Sequence, residues 1–152
     1  MRLTEKQQKQ FAAIRAIMDK VVAAIPMSNE SEYNQSAAVI NENSAAIRIW
    51  VSLKNYKRGD LRVSPVDGVP YWAMHDHSSV EGAELEPNAS PTIWAHCHGT
   101  TPETARPFVA EGHNPYNMGH YCVENGVVAR CKQDGTVHAP SVLPSAWEIV
   151  EV

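Results

Sequence analysis

Cysteine is scarce in this chain, at three in 152 residues, and aromatic residues make up only 7%. A sparse, odd cysteine set excludes a disulfide scaffold and points to synthesis in a reducing compartment. No apolar run approaches the roughly 20 residues of a membrane span. The start MRLTEKQQKQ also lacks the basic-then-apolar order of a secretion signal. The chain therefore reads as soluble, with no membrane partner. Thirteen Lys and Arg are outnumbered by 17 Asp and Glu, for a net charge of −4, so no general electrostatic attraction draws it to nucleic acid. No Cys-x-x-Cys, His-Glu-x-x-His or Gly-x-Ser-x-Gly spacing occurs, which removes the usual signatures of zinc and nucleophilic sites. No cofactor is implied.

What the chain does have is a pattern used twice. Pro87-x₃-Pro91-x₂-Trp94 recurs as Pro140-x₃-Pro144-x₂-Trp147, and each copy follows a Tyr-x-x-Gly step, Tyr56 to Gly59 and Tyr116 to Gly119. A repeat fixes the unit of structure before any other reading. Two small modules of one design are expected, spanning residues 50–99 and 108–152. The stretch from Thr100 to Pro107, with two Thr and two Pro, reads as the linker.

Residues 1–49 read as a helical segment. Thr4 is an N-cap with Gln7 as its capping-box partner, and Pro26 stops the run, which predicts a helix from about Thr4 to Ile25. Phe11, Ile14, Met18, Val21 and Ile25 are spaced 3-4-3-4, an a/d seam. That seam either covers a neighbouring module or drives self-association, and as a coiled coil it makes the chain a homo-oligomer, a trimer among the options. Met27 to Ser36 reads as a polar loop, and Ser36 to Ile49 as a second short helix. From Trp50 onward, short strands alternate with turn signals. Leu61–Val63 and Pro70–Met74 flank a turn at Asp67-Gly68; Tyr121–Val123 and Val127–Lys132 flank Asn125-Gly126, the strongest short hairpin signal. The expected fold class is mainly β with an N-terminal α-helix and two small antiparallel β modules in tandem.

Written out, the first copy is Trp50-x₅-Tyr56-x₂-Gly59-Asp60, then Gly68-x₂-Tyr71, then Pro87-x₃-Pro91-x₂-Trp94. It resembles the chitin-binding carbohydrate-binding modules of families 5 and 12. The second copy has Phe108, His120 and Ala129 where that pattern has Trp, Asp and Tyr. A helical start followed by two such modules is also similar to small phage and prophage structural proteins. That resemblance implies a virion-associated protein made in the host cytoplasm, with other virion proteins and cell-surface glycans as partners. One departure matters: where the chitin-binding modules carry a Trp-Trp pair after the hairpin Tyr, this chain has His75-Asp76 and Gln133-Asp134. Aromatic faces stack on sugar rings in such modules, so chitin itself is a poor ligand.

Strand alternation puts Tyr71 and Trp72 on opposite faces. Tyr71 matches the motif and is assigned to the core, which leaves Trp72 as the exposed aromatic, for a sugar or for packing on the helix. Trp50, Trp94, Trp147, Tyr56 and Tyr116 read first as packing and second as sugar contacts. His75 with His77, and His96 with His98, each place two imidazoles on one strand face, a geometry zinc can use. A two-residue turn at Asn125-Gly126 pairs 122 with 129 and 120 with 131, which gathers His120, Cys122 and Cys131 on one face. Cys122 and Cys131 are then diagonal, unfavourable for a disulfide. Asp76, Glu81, Glu84 and Glu86 read as a solvated loop. The function these features point to is non-catalytic: display of two carbohydrate-binding-like modules for host-surface attachment or decoration. A purely structural assembly protein with no glycan is the second reading, and a small zinc-dependent enzyme using the histidines the third.

Overall fold

The computed structural model describes residues 2–151. Helix α1 (Glu5–Ala23) starts where the sequence says it should. The Gln7 N–H donates to Thr4 Oγ1 at 3.1 Å and the Thr4 N–H to Gln7 Oε1 at 2.9 Å, a closed capping box. It ends at Ala23, two residues short of the expected Ile25. The stretch read as a loop contains a second helix, α2 (Glu30–Gln35), because Asn29 caps it through Oδ1 to the Glu32 N–H at 2.9 Å. Too short for periodicity to reveal, it is anchored by Tyr33, which is buried. Helix α3 (Ala37–Glu42) and a 3₁₀ turn at Ser44–Ala46 follow, before the chain becomes extended.

Among the described residues nine short strands follow, joined by turns: β1 (Asn55–Tyr56), β2 (Leu61–Val63), β3 (Pro70–Ala73), β4 (His77–Ser78), β5 (Trp94–His96), β6 (Arg106–Pro107), β7 (Tyr121–Glu124), β8 (Val127–Cys131) and β9 (Trp147–Ile149). The first module holds a β2-β3-β5 sheet and the β1-β4 pair; the second holds a β6-β7-β8-β9 sheet. The β7–β8 hairpin has the register the Asn-Gly turn requires, with Cys122 opposite Ala129. Cys122 and Cys131 are both fully buried and both free.

The two modules repeat one hydrogen-bond frame. Gly59 N–H donates to Ala73 O at 2.9 Å, and Gly119 N–H to Cys131 O at 3.0 Å; both glycines have φ above +90°, which the turn demands. Arg58 N–H reaches Asp76 Oδ1 at 2.8 Å, and Met118 N–H reaches Asp134 Oδ1 at 2.9 Å. The Trp94 indole N–H donates to Leu85 O at 3.1 Å, and that of Trp147 to His138 O at 2.9 Å. Each closing Trp meets its module's Tyr edge-on, Trp94 with Tyr56 at 5.2 Å and Trp147 with Tyr116 at 5.3 Å. Departures are copied too: His120 Nδ1 accepts from the Asn117 N–H at 3.0 Å, where Asp60 Oδ2 accepts from the Lys57 N–H at 2.8 Å. An imidazole here replaces a carboxylate as the acceptor of one turn bond.

The expected linker is ordered structure. Thr101 and Thr104 close a capping box around a 3₁₀ turn at Pro102–Thr104, and Arg106–Pro107 then pairs in parallel with β7. Residues 106 and 107 thus belong to the second sheet, and the boundary at 108 falls inside it. Gly99 forms a bridge with Tyr121, and the Thr104 carbonyl lies 2.4 Å from where a Gly99 Cβ would stand. Only glycine lets the chain cross at that point.

The first sheet is covered on both faces. On one, Leu61, Trp72, Met74 and Ala95 pack with Tyr33, Ile40 and Ile47 of the N-terminal segment; on the other, Tyr71 and Ala73 pack with Trp50, Tyr56 and Trp94. A third cluster fills the second module around Tyr116, Cys122, Cys131 and Trp147. Trp72 is therefore not an exposed aromatic. It has no exposed surface, and its ring stacks on Tyr33 at 5.1 Å and 15°. Strand alternation separated Tyr71 from Trp72 correctly, but the helical segment turns the second face into a core as well.

Candidate functional site

None of the six aromatic residues proposed to touch a ligand forms an open platform. Trp72 and Trp94 are 0% exposed, Tyr116 1%, Trp147 4%, Tyr71 6% and Trp50 7%. Stacking on sugar needs a bare ring face, and these rings spend theirs on one another and on the helices. Sugar contact through them is withdrawn.

The histidine group is likewise dispersed. His75 is exposed, while His77 on β4 lies against Tyr56 and Trp94 at 5.6 and 5.2 Å, within the first module's aromatic cluster. His96, two residues on from Trp94, packs edge-on with Tyr71 at 5.6 Å, His98 stacks on Tyr116 of the second module, and Cys122 and Cys131 are sealed in that module's core. Among the described residues, no three His, Cys, Asp or Glu side chains are arranged to hold a metal ion. The proposed zinc set is therefore corrected: His75 is exposed, His77 lies among the first module's aromatic rings, and His96 and His98 pack on Tyr71 and Tyr116, so the two pairs do not converge on one site.

What the structure does assemble is a junction along residues 95–98, where the helical segment and both modules meet. Four consecutive carbonyls here each accept from a side chain brought from elsewhere. Ala95 O accepts from the Tyr33 hydroxyl at 2.8 Å, and His96 O from Asn114 Nδ2 at 2.8 Å. Cys97 O accepts from Arg106 Nη1 at 2.6 Å, and His98 O from Asn41 Nδ2 at 3.0 Å. Arg106 also donates to Asn41 Oδ1 at 2.6 Å, which ties helix α3 to strand β6. These bonds tie the helical segment and the second module to the last strand of the first sheet. The sequence offered no period or spacing by which to foresee Tyr33, Asn41, Arg106 and Asn114 converging here.

Three imidazoles run through the same junction, with His98 5.6 Å from His96 and 5.4 Å from His120. His98 stacks on Tyr116 at 3.7 Å, and its Nε2 donates to Asn114 O at 2.9 Å. Burial pushes the His96 pKa down to about 4 and that of His98 well below its ordinary value, with His96 and His120 adding repulsion to the latter. His120 is lowered as well, again by burial. All three are neutral at pH 7. Buried thiols show the reverse, with Cys97 pushed up to about 11 and Cys122 to about 12, chiefly by desolvation. These cysteines are inert packing residues rather than nucleophiles.

The five residues expected to form one apolar seam on α1 do not share one exposure. Ile25 is buried in the first core and Met18 is half-buried, so both leave the seam. Phe11, Ile14 and Val21 stay exposed at 55%, 51% and 42%, and Ile17, which the 3-4-3-4 reading passed over, is 63% exposed. No residue of α1 is buried. Its inner side is held by Val22 packing and by Asp19, which accepts from Arg15 and Arg48; Arg15 also donates to Ala46 O.

Among the described residues, no helix is long and apolar enough to cross a membrane. No protein-family model matches this chain, and no curated protein matches it either.

Proposed function

We propose that this chain is a non-catalytic assembly protein of the virion-associated kind, in which α1 joins copies and the two β modules form the displayed body. The observation that carries this reading is the bare apolar seam of α1. Leu3, Gln7, Gln10, Ile14, Ile17, Val21 and Ala24 follow a 4-3 alternation, and each is exposed. In a monomer such a stripe lies in water; against itself it is a coiled-coil face. Ile14 and Val21 take one core row and Ile17 the other. β-Branched residues in both rows favour three or more strands over two, so the reading is a parallel trimer, its polar Gln7 and Gln10 layers fixing register.

Burial of all six aromatic candidates favours assembly over glycan stacking as the role of the body. Small cores in both modules and the side-chain bonds along 95–98 suit a rigid spacer or decorating block. The test is sedimentation equilibrium on the full chain and on Ile17→Glu. A trimer that becomes a folded monomer in the variant supports the reading; a wild-type monomer at micromolar concentration overturns it.

A further inference from the structure

The acidic balance of the whole chain conceals a local reversal. Two adjoining grooves lie between α1, residues 44–51 and strand β2, with volumes of about 510 and about 490 Å³. Arg15, Arg48 and Arg62 line both; Lys54 joins them in one and Arg58 in the other. Only Asp19 and Asp60 oppose these five cations, and the first groove contains no carboxylate at all.

The two acids are already committed. Asp19 Oδ2 accepts from Arg48 Nη2 at 2.8 Å and its Oδ1 from Arg15 Nε at 3.0 Å, while Asp60 accepts from the Lys57 N–H. One carboxylate thus holds two guanidinium groups side by side and leaves them a surplus of charge. Arg62 and Lys54 form no ion pair among the described residues; each lies over the Tyr56 ring, at 5.3 and 5.9 Å, which limits where their charges point. Arginine predominates, and its planar fork matches phosphate oxygens in pairs.

We infer that this groove is an anion-binding site whose ligand carries phosphate groups, taken either as a free small phosphate or as successive groups of a phosphodiester polymer. Arg48 with Arg15 forms the fixed clamp, and Arg62 with Lys54 supplies the unpaired charge. The site lies on the inner side of α1, away from the exposed seam, so it does not depend on self-association.

The test is calorimetric titration of the full chain at low salt with inorganic pyrophosphate, and separately with poly(glycerol phosphate). Binding that weakens about tenfold in Lys54→Gln/Arg62→Gln, and falls with added salt, supports the site. Equal affinity per phosphate for both probes identifies a single-group ligand, and tighter binding of the polymer identifies a chain. Lys54→Gln alone, at an exposed position, serves as the second variant should the double variant melt early, with about threefold weakening expected. Failure of both probes to bind, or binding unchanged in variants that retain the wild-type melting temperature, overturns the inference.

Discussion

At one position of the repeated frame the first module has Trp72, with no exposed surface, and the second has Arg130, exposed and 3.7 Å from Glu148. The residues that follow them, Ala73 and Cys131, make matching hydrogen bonds, to Asp60 O at 2.9 Å and His120 O at 2.7 Å, so the equivalence is set by the backbone. The same strand geometry therefore supports a core tryptophan in one copy and a solvated arginine in the other. What differs is the covering. Tyr33, Ile40 and Ile47 lie over that face of the first sheet, and no apolar layer of the helical segment joins the second module's core cluster. Duplicated backbone does not bring duplicated surroundings, and the side chain follows the surroundings.

The comparison is broken most directly by exchanging the burden at that position. Trp72→Ala removes a fully buried ring and its stack on Tyr33, so it should cost about 3–5 kcal/mol by denaturant unfolding. Arg130→Ala removes one exposed ion pair and should stay within about 0.5 kcal/mol. Similar losses for the two substitutions would show that the helical segment does not stabilise the first sheet.

Acid sharpens the comparison through the junction. His96 has its folded pKa pushed down to about 4, against about 6.5 unfolded. Above pH 6.5 the residue is neutral in both states and contributes no pH dependence. As pH falls below 6.5 the unfolded chain binds the proton first, so stability declines until the folded state also protonates near pH 4. His96 alone should remove about 3 kcal/mol over that window, and His98 and His120, shifted the same way, add to the slope. Unfolding free energies measured from pH 7 to 4 should show this decline, reduced by about one proton's worth of slope in His96→Gln.

A smaller effect than the acid-driven decline concerns the substituted turn. Asp60→Ala removes the acceptor of the Lys57 N–H and should cost about 1 kcal/mol by thermal unfolding. Asp60→His, which copies the second module's solution, should recover part of that loss. No recovery would mean that His120 works in its turn only because of its own burial.

Much of the local structure was legible. The Thr4–Gln7 capping box, the β2–β3 and β7–β8 hairpins, the 122–129 register and the diagonal, unbonded cysteines all follow from residue chemistry acting over a few positions. The candidate site was legible to a much smaller degree. Alternation leaves Trp72 open between solvent and packing on the helical segment, because it assigns faces without saying how many are covered; the Tyr33 stack decides for packing. The helix seam was placed on Met18 and Ile25 because a mixed apolar surface offers two adjacent stripes, and only contact with the body decides which is spent. Helix α2 was missed because its six residues are held by the Asn29 cap and by Tyr33 reaching Ala95.

The sequence by itself determined the repeat, its turns and the packing role of Trp50, Trp94 and Trp147, since these rest on short-range geometry: a glycine at positive φ, a two-residue turn, a proline closing a segment. Only the tertiary structure decided that the modules are joined along residues 95–98, that the end of the linker is part of a sheet, that His96, His98 and His120 are neutral core groups, and that five cations gather beside an exposed helix in an acidic chain. Those outcomes depend on which distant surfaces exclude water from one another. Burial is a property of pairs of elements, and residues as far apart as Asn41 and Arg106 carry no mark of it until they meet.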